Sequence, residues 1–341
     1  MYSENGHTIF VVDGHVHLWD ARPENHRNKY GEGFIRCFHD YQTSLSPDEH
    51  IWPFEKFCGY DKETMIHDLF FEGYVDVGIL NSTYLYDFYK NGFNTHQQNN
   101  VLKQEYPQRF ILNGSFDPRE EEAGLDKLRK MVEEYPVQGL KLYTAEWRNG
   151  SKGWRLNDPW SYRHLEVCEE LGIKNIHVHK GPTIYPFNRD AFDVHDVDYA
   201  ATDFPNLNFI VEHVGLPRLE DFCWIATQEH NVYAGLSVAM AFICRRPKYF
   251  AEILANLLFW LNEDKILFGS DYAIWHPKWL IDKFIQFELP DDIQQEYGVD
   301  LTLDVKRKIL GENAARLYGL DIGAHQKLLQ EDEIGIQLAG S

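Results

Sequence analysis

Four short stretches carry side chains able to hold a metal ion or move a proton: Gly14-His15-Val16-His17-Leu18, His177-Val178-His179-Lys180-Gly181, Glu212-His213-Val214-Gly215 and Gly269-Ser270-Asp271-Tyr272. Side chains alternate faces along a strand, so His15 and His17 project from one face and can present two imidazoles to one ion. A divalent ion of the zinc, iron or manganese type takes about four to six donors, so the remaining ligands must come from elsewhere in the chain. Any one stretch reads equally well as a capping residue or a polar strand end in solvent. Four together point to a metal or catalytic site.

Some scaffold must bring these distant stretches to one place. Short β-branched or aromatic runs bounded by turn residues alternate with amphipathic segments of helical period. The candidate strands are Ile9 to Asp13, Val75 to Leu80, Phe110 to Gly114, Val137 to Tyr143, Asn175 to His179, Phe209 to His213, Val232 to Ser237 and Ile266 to Gly269. Helical patterns between them include Leu125 to Tyr135, Tyr162 to Leu171, Leu219 to Gln228, Tyr249 to Leu261 and Trp279 to Phe287. Eight strand-helix units with continuously apolar strands predict an α/β fold, a (β/α)8 TIM barrel formed by residues 1–341 as one domain. The competing doubly wound sheet would usually carry a Gly-rich phosphate loop after its first strand, and there is none. In such a barrel the chemistry sits at the C-terminal ends of the strands, where the four stretches fall.

Three segments break the even spacing. A stretch rich in Tyr, Phe and Trp, at about residues 20–60, is too long for a simple connection and is predicted to be a cap insertion after strand 1. A second insertion, Ala145 to Trp160, holds Trp147, Trp154 and Trp160, and long loops on this side of a barrel build substrate pockets. The polar tail, at about residues 320–341, reads as a surface arm or an oligomer contact.

Composition narrows the functions. The 341 residues carry a formal net charge of -20 without clustered Lys or Arg, which argues for solubility and against binding nucleic acid but says little about the small-molecule substrate expected. The five cysteines, Cys37, Cys58, Cys168, Cys223 and Cys244, form no Cys-x-x-Cys pair and suggest a reducing compartment. No stretch approaches the ~20 apolar residues of a membrane span and the N-terminus has no signal core, so the cytoplasm is the default expectation.

Asp13-Gly14-His15-Val16-His17, His179, His213 before Val214-Gly215, Gly269-Ser270-Asp271-Tyr272 and the closing Ile309-Leu310-Gly311-Glu312-Asn313-Ala314-Ala315-Arg316-Leu317-Tyr318 resemble the amidohydrolase superfamily. More narrowly, they resemble its amidohydrolase-related branch, which contains aminocarboxymuconate-semialdehyde and γ-resorcylate decarboxylases. The resemblance spans residues 9 to 319 and is specific for fold and metal site, but the branch hosts several reactions on one scaffold. It implies that His15, His17, His179 and Asp271 bind a divalent ion, zinc for a one-metal site, and that His213 and Asp271 act as acid and base.

Strand four continues Lys141-Leu142-Tyr143-Thr144-Ala145-Glu146-Trp147, and dinuclear relatives bridge two metals with a carboxylated strand-four lysine or a glutamate. Lys141 or Glu146 could serve so, with His177 or His213 as further ligands. The same stretch resembles the 2-aminoisobutyric acid hydroxylase, which would imply an iron or iron/manganese pair activating oxygen. Trp19, Tyr143, Arg148 and His276 are the candidate substrate contacts. The favoured expectation is a metal-dependent hydrolase or non-oxidative decarboxylase acting on a small carboxylated or cyclic substrate. The oxygenase is the alternative, and a silent subunit of a heteromeric enzyme the third. A homo-oligomer, or a hetero-oligomer with a related barrel subunit, is expected.

Overall fold

A computed structural model describes residues 1–4 and 6–340. Eight parallel strands form one sheet: β1 (Val12–Val16), β2 (Val77–Asn81), β3 (Phe110–Gly114), β4 (Val137–Leu142), β5 (Asn175–His179), β6 (Asn208–Glu212), β7 (Val232–Gly235) and β8 (Ile266–Leu267). Each strand pairs with its sequence neighbour. The ring closes between β1 and the segment after β8, where the Gly14 amide donates to the Phe268 carbonyl at 3.0 Å and the His17 amide to the Tyr272 carbonyl at 2.8 Å. This is a TIM barrel. Helices Glu121–Glu134, Pro159–Glu170, Leu219–Gln228, Pro247–Leu261 and Pro277–Gln286 cover its outside. Three of these begin at a proline, which suits the first helical turn because its missing N–H has no intrahelical partner there.

The expected strand bounds hold for β3 and β5 and shift by a few residues elsewhere. The largest shift is at β1. Tyr2–Glu4 and His7–Ile9 pair as an antiparallel hairpin, so Ile9 is taken up there and β1 begins at Val12 and runs through Gly14 and His15. Gly14 is required at the seam, because a Cβ there would sit 2.8 Å from the Phe268 carbonyl oxygen.

The barrel interior has two chemistries stacked along its axis. At the N-terminal end Phe10, Val12, Val77, Ile79, Ile111, Ile210 and Leu267 form one apolar cluster with Tyr318 and Leu329. Two residues further along three of the strands, on the same face, Ile79 gives way to Asn81, Ile111 to Asn113 and Ile210 to Glu212. The upper interior is therefore polar and buried.

The segment between β1 and β2 holds a helix, Lys29–Leu45, capped by the Asn28 side chain, which accepts from the Tyr30 amide. It lies against the loops after β5 and β8. The Tyr41 hydroxyl donates to the Thr183 carbonyl at 2.9 Å, and the Gln42 amide to the carbonyls of Ala273 and Ile274 at 3.3 and 3.1 Å. After β4, Trp147–Arg148 and Ser151–Lys152 form a small hairpin. The tail forms helices Ile322–Glu331 and Glu333–Gly340 and docks through buried Arg109, whose guanidinium meets Asp332 at 2.6 and 2.9 Å. Among the described residues no helix is long and apolar enough to cross a membrane.

Candidate metal centre

At the C-terminal end of the barrel His15, His17, Lys141, Tyr143, His179, His213 and Asp271 line one cavity, with Thr83, Phe38 and Phe93 completing the wall. It has room for about one water-sized group. His15 Nε2 lies 2.9 Å from His17 Nε2, and Asp271 Oδ1 is 3.6 and 3.4 Å from the same two nitrogens. The other ring nitrogens fix the tautomers. His17 Nδ1 donates to the Asn81 carbonyl at 2.7 Å, so its Nε2 carries the lone pair. His15 Nδ1 faces Glu212 Oε2 at 3.1 Å and Ser237 Oγ at 2.9 Å. Because Ser237 gives its own proton to Glu212 at 2.8 Å, His15 is the donor at Nδ1 and its Nε2 is also a lone pair.

Two lone pairs that close repel unless a cation or a donor lies between or beside them. Across the cavity, His213 gives its Nδ1 proton to the Ser237 carbonyl at 3.0 Å and turns Nε2 toward His179 Nδ1, also at 3.0 Å. His179 Nε2 is buried without a partner. Two imidazole nitrogens and one carboxylate oxygen, from His15, His17 and Asp271, lie within 4.8 Å of one another, and the unpartnered His179 Nε2 belongs to a residue lining the same cavity. Nitrogen and carboxylate donors of this kind fit a divalent cation of the zinc type.

The electrostatics favour neutral rings and an ionised carboxylate. Burial, then the Lys141 charge, pushes His15 down to about 3, and burial lowers His179 and His213 as well. Asp271 is driven below the usual carboxylate range against the cost of its burial, chiefly by His15 and His17. Burial lowers Lys141, whose Nζ is 3.2 Å from His15 Nε2. His213 and Asp271 take left-handed backbone conformations, φ 69° and 57°, which non-glycine residues rarely adopt and which recur at functional sites.

The family profile described as Amidohydrolase matches residues 12–320. The chain belongs to the amidohydrolase family. No curated protein matches this amidohydrolase, but solved structures share its fold. An uncharacterized TIM-barrel protein from Bordetella bronchiseptica superposes with a TM-score of 0.67 at 17% identity, covering 91% of this chain and 99% of that one. A 2,6-dihydroxybenzoate decarboxylase from Rhizobium gives 0.60 at 16%, covering 92% and 100%. A probable 2-pyrone-4,6-dicarboxylic acid hydrolase from Acinetobacter baumannii gives 0.55 at 13%, covering 91% and 99%.

The remaining candidate residues of the amidohydrolase lie outside the cavity lining. His177 has both ring nitrogens engaged, Nδ1 to Glu212 Oε1 at 2.6 Å and Nε2 to the Tyr318 hydroxyl at 2.9 Å, so neither is free for an ion. Glu146 is half-buried near Asp117, Arg119 and Arg148, where burial and then Asp117 push its carboxyl up to about 8. Arg148 pairs with Glu120 and Asp117 instead of facing a substrate. Trp19 gives its indole proton to the Phe57 carbonyl at 2.7 Å and packs among Phe38, Phe57, Tyr60 and Phe93. His276 caps its helix through Nδ1, leaving the proton on Nε2, which faces Asp68 and Glu72 at 3.8 and 3.6 Å. Those two carboxylates and His67 form a second, more exposed group of donors, and the His276 proton points into it.

Sequence reasoning passed over Glu212, Ser237 and Asn81, which orient the histidines. For Glu212 a signal existed: a carboxylate directly before His213 at a strand end.

Proposed function

We propose that this amidohydrolase is a metal-dependent hydrolase or non-oxidative decarboxylase acting on a small ring-shaped carboxylate. The observation that carries the reading is the pair of Nε2 lone pairs on His15 and His17, 2.9 Å apart and aimed with Asp271 at one point. A divalent cation bound there supplies Lewis acidity, polarising a substrate oxygen or acidifying a water. A two-metal oxygen-activating centre would draw on Glu146 and His177, which are engaged elsewhere, so the donor set supports a single ion, with zinc the best fit.

The chain's own groups divide the remaining work. Lys141 Nζ is the cavity's cation and pairs with a substrate carboxylate. The Tyr143 hydroxyl, buried without a partner, donates to a substrate oxygen. His213 gives its Nδ1 proton to Ser237 and accepts the His179 Nδ1 proton at Nε2, which leaves the His179 Nε2 lone pair unprotonated. His213 would exchange a proton with substrate at Nε2 only when His179 gives up that contact. The aromatic wall of Phe38, Phe93 and Tyr143 suits a planar ring, which a cavity with room for about one water-sized group admits only after its wall opens. The substrates named for two of the structural neighbours, 2,6-dihydroxybenzoate and 2-pyrone-4,6-dicarboxylic acid, are both planar ring carboxylates.

Elemental analysis of protein purified without added metal tests the reading. Wild type should carry about one ion per chain and His15→Ala none. Metal retained in full by His15→Ala would overturn it. Release of carbon dioxide from dihydroxybenzoates, set against ring opening of pyrone dicarboxylates, distinguishes lyase from hydrolase.

A further inference from the structure

His15 on β1 and His17 just beyond its end are joined through the barrel interior by an unbroken chain of hydrogen bonds that the proposed chemistry does not use. It starts at His15 Nδ1 and enters Glu212 Oε2. From Glu212 Oε1 it passes to His177 Nδ1 at 2.6 Å, and from His177 Nε2 to the Tyr318 hydroxyl at 2.9 Å. Tyr318 accepts from Asn113 Nδ2 at 3.0 Å, and Asn113 Nδ2 also donates to Asn81 Oδ1 at 2.9 Å. Asn81 closes the ring, its carbonyl taking the His17 Nδ1 proton and its amide holding the Gly14 carbonyl at 3.0 Å. All of these residues except Tyr318, which is 9% exposed, are exposed by 5% or less.

Donors and acceptors can be assigned around the chain without conflict, with Glu212 and Asn81 as the acceptors where donations from two sides meet. Glu212 accepts from His15, His177 and Ser237, and as an ionised carboxylate it has acceptor sites for all three. With His177 Nδ1 committed to Glu212, its Nε2 must accept, so Tyr318 is the donor there. Space for the ring is left by glycines: a Cβ on Gly139 would stand 2.5 Å from Asn113 Oδ1 and 2.8 Å from the Tyr318 hydroxyl, and one on Gly235 2.4 Å from Glu212 Oε2.

We infer that Glu212, His177 and Tyr318 are positioning residues that lock His15 in the tautomer whose Nε2 lone pair faces the ion, and that Tyr318, at the end of the C-terminal signature, couples the barrel floor to the metal centre. The inference rests on the metal reading above. Glutamine at position 212 would keep one acceptor oxygen but set an NH2 against an N–H, forcing one histidine to change tautomer. If that histidine is His15, its proton occupies the ion's place.

The test is the dissociation constant for cobalt, measured by competition with a chromophoric chelator, together with the visible spectrum of the cobalt form, for wild type, His15→Ala, Glu212→Gln and Tyr318→Phe. Loss of the carboxylate should weaken binding by about 10–100-fold and alter the spectrum, and Tyr318→Phe should shift both in the same direction by less. Wild-type spectra with affinities within about twofold of wild type would overturn the inference, even if melting temperature fell, because a merely structural role moves stability alone. If Glu212→Gln does not fold, Tyr318→Phe, which removes one oxygen from the barrel floor, carries the test by itself. Equal cobalt binding by wild type and His15→Ala would instead bring down the metal reading.

Discussion

His15 Nε2 and His17 Nε2 face each other across 2.9 Å with both of their Nδ1 protons already given to oxygen acceptors. Among the described residues the Lys141 amine, 3.2 Å from His15 Nε2, is the hydrogen-bond donor that relieves the repulsion. A divalent cation would relieve it fully and bind the folded state alone, because the unfolded chain does not assemble the donors. At a free zinc concentration one hundred times the dissociation constant, the fold should gain about 2.7 kcal/mol. Thermal melts with and without zinc should show this for wild type and not for His17→Ala. Equal responses would sink the claim.

Lys141 should separate binding of the ion from binding of the substrate. Its Nζ reaches His15 but accepts nothing and cannot ligate while protonated. Lys141→Met, similar in volume and uncharged, should keep the metal. Turnover of a ring carboxylate should fall by about 100-fold or more, as expected when a buried charge partner is lost. Metal content and steady-state rates on one preparation decide it, and a variant that loses its metal would show that Lys141 belongs to the ligand set.

Glu146 should matter for stability and not for the ion. Its folded-state carboxyl titrates at about 8, raised by burial and by Asp117, whereas in the unfolded chain it titrates near the ordinary 4.5. At pH values below both, the two states hold the same proton. Between them only the folded state keeps it, so stability falls as pH rises through this window and levels off above about 8. Glu146→Gln should flatten that slope in urea denaturation between pH 5 and 9 and retain full metal. A half-loss of metal would restore Glu146 as a bridging ligand.

The docking of the tail makes a separate prediction. Asp332 receives two hydrogen bonds from the buried Arg109 guanidinium, and its own side chain is 21% exposed. Asp332→Ala should destabilise by about 2–3 kcal/mol, below the 3–5 kcal/mol of a fully buried pair because water can reach the gap. Metal affinity should be unchanged. A chemical denaturation curve superposing on wild type would mean that the tail contributes little to the fold.

How far the sequence could be read depended on whether a feature is local. β3 is legible to the residue because the apolar run Phe110-Ile111-Leu112 ends in the turn-forming Asn113-Gly114, and β5 because Ile176 and Val178 alternate with His177 and His179 before Lys180-Gly181. β1 is misplaced because the hairpin that captures Ile9 is a pairing no strand pattern reveals. The His-x-His spacing showed which two imidazoles share a face. It could not show that His177, two residues before His179 on the same strand, has both nitrogens engaged by Glu212 and Tyr318. Residue type and loop position put Trp19, Arg148 and His276 near a substrate, and partners elsewhere in the chain, Phe57 for Trp19, Glu120 for Arg148, and Asp68 and Glu72 for His276, hold them outside the cavity lining. Asn81, Asn113 and Tyr318 have no sequence signature of joint action, since 237 positions separate the first from the last and only barrel closure brings them together.

Gly235 offers a way to move Glu212 without changing its chemistry. A Cβ there would fall 2.4 Å from Glu212 Oε2 and 2.9 Å from its Cδ, closer than any real contact, and the glutamate cannot swing aside without releasing His15, His177 or Ser237. Gly235→Ala should therefore cost about 1–3 kcal/mol from overpacking and also weaken cobalt binding. Gly172→Ala is the control. That glycine has φ +74° with nothing within 4 Å of its added Cβ, so the substitution costs about 1 kcal/mol of backbone strain far from the ion. Denaturation curves should show both variants destabilised, and chelator competition should show only Gly235→Ala impaired. Matching losses of affinity would tie the ion to global stability, and an unaltered affinity in Gly235→Ala would show that the ion tolerates a displaced Glu212.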